Sequence, residues 1–125
     1  MKIESTETRL VELNGNLYQI HKNGFALDSK GKRVGYKTDT GYVKIAGDFL
    51  LHRVIYKEFT DWTKRGTPKG INCEYWKTLS VERRKDFHDM YECVDHIDGN
   101  NKNNKFKNLQ GMPYRENSKK GNKAA

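Results

Sequence analysis

Near its C-terminus the chain reads Cys93-Val94-Asp95-His96-Ile97-Asp98-Gly99-Asn100-Asn101, continues through a lysine-rich segment to Asn108, and then reaches Asn117. The alternation over residues 92–97 predicts a β-strand, and the Asp, Gly and Asn residues that follow predict a loop over 98–107. A second short strand is expected over 108–112. Pro113 suits the first position of a helix that runs to about Lys120. The segment therefore predicts a strand, a loop, a strand and a helix in succession.

The polar side chains of this segment suit the hydrolysis of a phosphodiester. That reaction needs a deprotonated water, a positive charge at the phosphate and a stabilised leaving group. His96 can accept the proton, because imidazoles are largely neutral at physiological pH. Asp95 points to the opposite face of the strand and can address a metal ion, with Asn117 as a second oxygen ligand. An Asp and Asn pair of this kind favours Mg²⁺, with Mn²⁺ as a plausible substitute and Zn²⁺ disfavoured.

Each of these features also has an ordinary explanation. A lone Asp-His pair in a strand is more often a surface pair or a structural histidine, and an Asp-Gly-Asn-Asn run is an ordinary turn that Asp98 would cap. A calcium loop of the EF-hand type is a further alternative. It lacks the acidic residue that should end such a loop, and lysines intrude. The order and spacing of Asp95, His96, Asn108 and Asn117 together favour the hydrolytic interpretation.

The composition limits the classes of fold and partner. The chain has 125 residues, of which 34% are hydrophobic and 32% charged, so it fits one compact domain with a small core. Its 24 Lys and Arg residues outweigh 16 Asp and Glu residues, and the net charge of +8 favours an anionic polymer as partner. No segment approaches the roughly 18 apolar residues of a membrane span, so nucleic acid is preferred. Cys73 and Cys93 lack the paired spacing of a structural zinc site and are expected to be free thiols.

The rest of the chain predicts short strands followed by helices. An antiparallel meander is expected over about 16–51, with Asn23-Gly24 as a two-residue hairpin turn and with strands over 33–37 and 41–45. Apolar residues at helical spacing predict an amphipathic helix over 51–60. Residues 61–78 are expected to form a loop or extended connection. Ser80 is a predicted N-cap for a surface helix from Val81 to about Met90.

The order of Asp-His, Asn and Asn on a strand, loop, strand and helix resembles the ββα-metal finger of the HNH endonucleases. The most similar subgroup is the homing-type HNH enzymes of bacteriophages. In that motif a His ends the first strand, an Asn enters the second and a His or Asn lies on the helix, which correspond here to His96, Asn108 and Asn117. The phrase from Val94 to Asn100, and Leu51-His52-Arg53-Val54 after Gly41-Tyr42, are also typical of the subgroup.

This resemblance implies an α+β fold, in which a small N-terminal antiparallel β-meander and helices precede a C-terminal ββα-metal finger. The expected divisions are a β-meander plus helix that contacts DNA (1–60), a connecting insertion with one helix (61–91), and the catalytic finger with its basic tail (92–125). The resemblance does not extend to this insertion. By the same resemblance Asn108 is not a metal ligand, and its amide would hold the loop and His96 in place.

Basic residues around the finger are expected to hold the phosphates of DNA without reading its sequence. Arg53 is a candidate because a guanidinium matches phosphate oxygens, whereas His52 is more often a packed or capping residue at a helix start. His21 and His88 show only ordinary surface usage. Basic residues of the meander, including Arg33 and Lys37, could enter the major groove or merely face solvent. The predicted DNA-binding residues are Arg53, Lys105, Lys107, Arg115, Lys119 and Lys120.

Taken together, the sequence predicts a metal-dependent endonuclease that cuts or nicks double-stranded DNA, with His96 as general base and one Mg²⁺ ion. A monomer or weak dimer is expected, without membrane association. A cytoplasmic location is expected, which would be a bacterial host cell if the chain is encoded by a phage. One alternative is a non-catalytic DNA-binding module with an HNH-like fold. Another is a low-specificity nuclease that acts on RNA or on single strands.

Overall fold

Short antiparallel strands joined by glycine turns occupy the first part of the chain, and helices follow them. The computed structural model describes residues 7–114. The chain divides into two compact units, one from Met1–Phe59 with His96–Leu109 and the other from Thr60–Asp95 with Gln110–Ala125. We call them unit 1 and unit 2. Within the described range no helix is long and apolar enough to cross a membrane.

The first sheet of unit 1 has four strands in the order β1-β2-β3-β4. Their bounds are β1 (Thr8–Leu13), β2 (Asn16–His21), β3 (Phe25–Leu27) and β4 (Arg33–Val34). The predicted meander began near residue 16, so β1 is an addition. The reason is the turn at Asn14-Gly15, where φ values of 52° and 82° allow a two-residue turn that pairs Leu13 with Asn16.

A second sheet follows, with three strands in the order β5-β6-β7. These strands are β5 (Tyr36–Lys37), β6 (Val43–Ile45) and β7 (Phe49–Leu50). The prediction of one strand over 33–37 is therefore wrong. Gly35, with φ of 134°, interrupts it, and the residues on either side join different sheets. Only glycine adopts this backbone conformation readily.

Helix α1 (Leu51–Phe59) covers these sheets and confirms the predicted amphipathic helix. It contacts β2, β6, β7 and a 3₁₀ turn at Phe106–Asn108. Ile55 is fully buried, and the rings of Tyr56 and Phe59 lie 6.3 and 6.2 Å from the ring of Phe106. The helix thereby anchors the end of the 98–107 loop to the core of unit 1.

Unit 2 contains α2 (Cys73–Thr78) and α3 (Val81–Tyr91). Ser80 caps α3 as predicted, since its side chain accepts a hydrogen bond from the Arg83 amide at 3.2 Å. The expectation of loop throughout 61–78 is wrong. Asn72 accepts from the Tyr75 amide at 3.0 Å and so caps α2, which is a local signal that the sequence carries.

Strands β8 (Glu92–His96) and β9 (Leu109–Pro113) pair as a two-stranded sheet, close to the predicted bounds. Pro113 is the last residue of β9 and not the first of a helix. Strand edges and helix starts that differ by a residue or two are common. The predicted helix to about Lys120 lies almost entirely outside the described residues.

The expectation that His88 is a surface residue is wrong, because its side chain is 1% exposed. Its Nδ1 lies 3.0 Å from Glu92 Oε1, and Arg65 donates to both oxygens of the same carboxylate at 3.0 and 2.7 Å. Burial raises the pKa of Glu92, but hydrogen bonds from His88 and Arg65, with the charge of Arg65, outweigh it and leave the pKa below its usual range. Trp62 and Trp76, both buried, complete this core.

The hairpin between β2 and β3 has a longer loop than expected, and the prediction of a two-residue turn at Asn23-Gly24 is wrong. His21 pairs with Phe25, so the loop has three residues, and Gly24 takes a positive φ of 104°. This geometry is a common alternative for short hairpins. A Cβ placed on Gly24 would lie 2.8 Å from the carbonyl carbon of Asn104 and 2.8 Å from the amide nitrogen of Lys105. The hairpin therefore supports the 98–107 loop through a contact that only glycine permits.

We expect Gly24→Ala to destabilise unit 1 by about 2–5 kcal/mol, because the new methyl group meets backbone atoms and the positive φ adds strain. Gly15→Ala is the matched control, since Gly15 has φ of 82° but no atom within 4 Å of an added Cβ. Urea unfolding of both variants measures the difference. Equal losses of unfolding free energy would contradict the steric explanation.

Candidate active site

The side chain of His96 is held at the end of β8 by one side-chain hydrogen bond. The imidazole is 3% exposed, and its Nε2 lies 2.7 Å from Oδ1 of Asn104, which is also 3% exposed. An amide oxygen can only accept a hydrogen bond, so Nε2 carries the proton and donates it. The neutral ring then has its lone pair on Nδ1. Asn104 thus fixes the tautomer in which Nδ1 can accept a proton.

Two further rings of unit 1 pack around His96. The ring of His52 lies 4.7 Å from it, and the ring of Tyr42 lies 6.0 Å from it and stacks on His52 at 5.1 Å. Burial lowers the pKa of His52 to about 3, and the charges of His96 and Arg53 add to the effect. His52 is therefore neutral at physiological pH, so it does not repel a proton that His96 receives.

Asn108 organises the loop that follows His96. Its Oδ1 accepts from the Asp98 amide at 3.1 Å, and its Nδ2 donates to Asp98 Oδ1 and to the Asn103 carbonyl, both at 2.9 Å. Its own carbonyl accepts from the Ile97 amide at 2.8 Å. These bonds join the start, the middle and the end of the loop. They are the contacts of a residue that shapes a loop.

The carboxylate of Asp98 accepts hydrogen bonds from residues of the same loop. Besides Asn108, it accepts from the Asn103 side chain at 2.9 Å and from the Asn100 amide at 2.8 Å. The hydrogen bond from the Asn103 side chain, followed by those from Asn100 and Asn108, holds the pKa of Asp98 below its usual range. Asp98 caps the turn, as the sequence suggested for an ordinary Asp-Gly-Asn run.

Asp95 belongs to unit 2, where it is 9% exposed and its Oδ2 accepts from Gln110 Nε2 at 2.9 Å. A carboxylate that is mostly withdrawn from solvent and oriented by an amide suits a hard divalent cation. In the range 7–114 no group of three or more His, Cys, Asp or Glu residues could hold a metal ion. The predicted donor set has one carboxylate and one amide oxygen, so it does not need such a group.

The other predicted site residues fall into two sets. Arg53 lies half-buried on α1, Lys105 is half-buried just before the 3₁₀ turn, and Lys107 is exposed within it. The remaining predictions, for Arg115, Asn117, Lys119 and Lys120, lie outside the described residues. Their roles stay predictions.

Reasoning from the sequence missed Asn104, and it favoured a packed or capping residue for His52 over a catalytic one. Asn104 is one of several Asn residues in the loop, and nothing in its neighbours distinguishes it from Asn103. The pairing of Tyr42 with His52 had a weak signal, since both belong to segments typical of the phage subgroup. Contact of either ring with His96 depends on residues far apart in the chain.

The fold defined by this meander, helix and histidine-bearing strand is that of an HNH-type endonuclease. This likeness rests on a solved structure of the HNH homing endonuclease I-HmuI, which concerns DNA binding and cleavage by that protein. It matches with a TM-score of 0.53 and 22% sequence identity over 90% of this chain. The match covers 56% of the I-HmuI chain, so this chain spans little more than half of that length. No protein-family model and no curated protein matches this chain.

We expect Asn108→Ala to lower the unfolding free energy by about 1–3 kcal/mol, because it leaves buried loop groups without partners. Asn100→Ala is the control from the same loop, since Asn100 is exposed and its side chain only accepts from the Lys102 amide. A loss within about 0.5 kcal/mol is expected there. Urea midpoints that coincide for the two variants would contradict the assigned role of Asn108.

Proposed function

We propose that this chain is a metal-dependent HNH endonuclease that hydrolyses phosphodiester bonds of double-stranded DNA. The observation that carries the proposal is the buried His96 imidazole, whose Nε2 donates to Asn104 and whose Nδ1 therefore has the lone pair. A general base needs this orientation before substrate arrives. The likeness in fold to a homing endonuclease, and the net charge of +8, support DNA as the substrate.

In the proposed reaction His96 Nδ1 takes a proton from a water molecule as that water attacks phosphorus. The new oxygen–phosphorus bond forms while the bond to the leaving oxygen breaks, and the leaving oxygen takes a proton from solvent. The imidazolium keeps its Nε2–H bond to the Asn104 oxygen, which stabilises the positive charge. The neutral ring of His52 adds no competing charge. The imidazolium then returns its proton to water.

Asp95 and Asn117 are the residues that would hold the divalent ion, Mg²⁺ or Mn²⁺. When bound, the ion supplies positive charge for the phosphate and for the leaving oxygen. Gln110 supports this assignment because its amide orients the Asp95 carboxylate. Asn108 is proposed to shape the loop and not to contact the ion. In this proposal β8, the loop, β9 and the predicted helix to about Lys120 together form the ββα-metal finger.

The basic residues proposed to hold the DNA backbone are Arg53, Lys105, Lys107, Arg115, Lys119 and Lys120. They position the duplex and carry no sequence information themselves.

We expect His96→Ala to lower the rate of cleavage of supercoiled plasmid in Mg²⁺ by about 10²–10⁴-fold, because the general base is lost. Binding of duplex DNA in EDTA should remain close to that of the unsubstituted chain. Asp95→Ala should instead lower the rate and raise the Mg²⁺ concentration needed for half-maximal cleavage. Equal cleavage by His96→Ala would remove the assigned base. Salt-sensitive binding with no cleavage in any divalent ion would favour a non-catalytic DNA-binding module.

We expect Asn104→Leu to lower the rate by about 10–100-fold, because it removes the acceptor that fixes the His96 tautomer. Asn104→Asp keeps an oxygen at that position and should retain most of the activity. Nitrogen NMR of the His96 ring reports the tautomer directly, with the Nε2–H form expected for the unsubstituted chain and for Asn104→Asp. A ring that keeps this tautomer in Asn104→Leu, with full activity, would show that Asn104 does not position the base.

A further inference from the structure

A cavity of about 560 Å³ opens in unit 1 beside the candidate active site. Its lining combines apolar residues and glycines of the two sheets with Arg33, Lys37 and Lys102. Asn104, which holds His96, also lines it. The cavity therefore shares one wall with the site at which we propose that DNA is cleaved.

The charges on this lining are not balanced by acidic groups. Among the described residues, neither Lys37 nor Lys102 forms an ion pair with an Asp or Glu side chain, and Arg33 forms none either. Other lysines of the same unit do have such partners, since Lys22 lies 3.2 Å from Glu7 and Lys44 lies 3.8 Å from Asp48. The cavity thus concentrates positive charge that no acidic residue of the described range 7–114 compensates by an ion pair.

Lys37 and Lys102 come together from distant parts of the chain. Lys102 lowers the pKa of Lys37, first because its amine lies within hydrogen-bonding range and second because of its positive charge. Two ammonium groups have only donors, so neither satisfies the other, and their charges repel. An anionic oxygen between them would accept from both. The pair of lysines is therefore suited to bind an anion.

Arg33 adds a third cation with a defined orientation. Its guanidinium lies 4.9 Å from the centre of the Phe25 ring, and both residues line the cavity. Stacking on an aromatic ring leaves the edge of a guanidinium available to an anion, and phosphate oxygens match that edge. The apolar part of the lining suits the sugar that flanks a backbone phosphate.

We propose that this cavity binds one backbone phosphate of the DNA, shared by Lys37 and Lys102 and assisted by Arg33, next to the phosphate at which His96 acts. This inference rests on the proposed function for the identity of the anion. It assigns a positioning role to residues of the N-terminal sheets and of the loop. A phosphate held there fixes the register of the strand relative to Asn104 and His96.

The test measures binding of a fluorescent duplex of about 30 base pairs in EDTA, from 50 to 200 mM NaCl. Lys37→Gln/Lys102→Gln should weaken binding roughly tenfold, since charge-assisted hydrogen bonds to a phosphate are lost. The slope of log affinity against log salt should shrink by about 1, as expected for one shared phosphate. Lys37→Arg/Lys102→Arg should keep both values. Lys77→Gln, which removes one positive charge, is the surface control, because Lys77 is exposed and lies 3.7 Å from Glu74.

Wild-type affinity and slope in the double Gln variant would overturn the proposal. A slope change of about 2 would assign the lysines to separate phosphates and overturn the shared site. The same loss in Lys77→Gln would show a general effect of charge and also overturn it. Tighter binding of a duplex RNA of the same sequence, with the same loss in the double variant, would overturn DNA as the occupant.

A second measurement uses carbon NMR of the Lys37 side chain. Because Lys102 lowers the pKa of Lys37 in the free protein, a phosphate bound between them should raise it again. A titration that is unchanged by DNA would overturn the site. These measurements distinguish failure of the phosphate-site proposal from failure of the proposed endonuclease function. If the unsubstituted chain fails to cleave DNA while the lysine results hold, only the endonuclease proposal fails. If Lys37→Gln/Lys102→Gln cleaves DNA fully and binds it with unchanged affinity, only the phosphate-site proposal fails.

Discussion

The hydrogen bond from His96 Nε2 to Asn104 Oδ1, 2.7 Å long and buried, is the constraint on which the candidate active site depends. It selects one tautomer of the imidazole, and in a setting with little water an alternative would leave both groups without a partner. The bond lasts only if the loop holds Asn104 in place. Gly24 contacts the backbone at Asn104, and the Phe106 amide donates to the Lys22 carbonyl at 2.9 Å. The N-terminal hairpin therefore supports the loop that holds Asn104, and through that loop the candidate active site.

Unit 2 has its own polar core, built on Glu92, the first residue of β8. A carboxylate that is 1% exposed would be costly to bury alone, and Arg65 and His88 satisfy both of its oxygens. Because the pKa of Glu92 is lowered in the folded state, its contribution to stability is present above its unfolded pKa. That contribution is lost as the pH falls through the folded value. The insertion over 61–91 therefore fixes the start of the strand that carries Asp95 and His96.

In the described part of unit 1, some basic side chains have acidic partners and others form no ion pair with a described acidic residue. Lys22 and Lys44 have acids within 4 Å, whereas Lys37 and Lys102 approach each other. Lys102 and Asn104 belong to one short loop, so the proposed phosphate site and the proposed base are coupled through the backbone. Asn108 and Asp98 give that loop its shape. The proposed phosphate site and the proposed catalytic site thus share one structural element.

By itself, the sequence determined the elements whose signals act within a few residues: the apolar spacing of α1, the Ser80 cap of α3, the alternation of β8 and the turn at Asp98. It also carried the likeness to HNH endonucleases, which the fold confirms. Tertiary structure alone decided that Gly35 divides one expected strand between two sheets, that His88 is buried, and that Asn104 rather than a neighbouring Asn meets His96. The physical reason is the separation along the sequence of the residues that interact. Capping and periodicity depend on adjacent residues, whereas the contacts of Gly24, Lys37 and Arg65 join segments that only the folded core brings together.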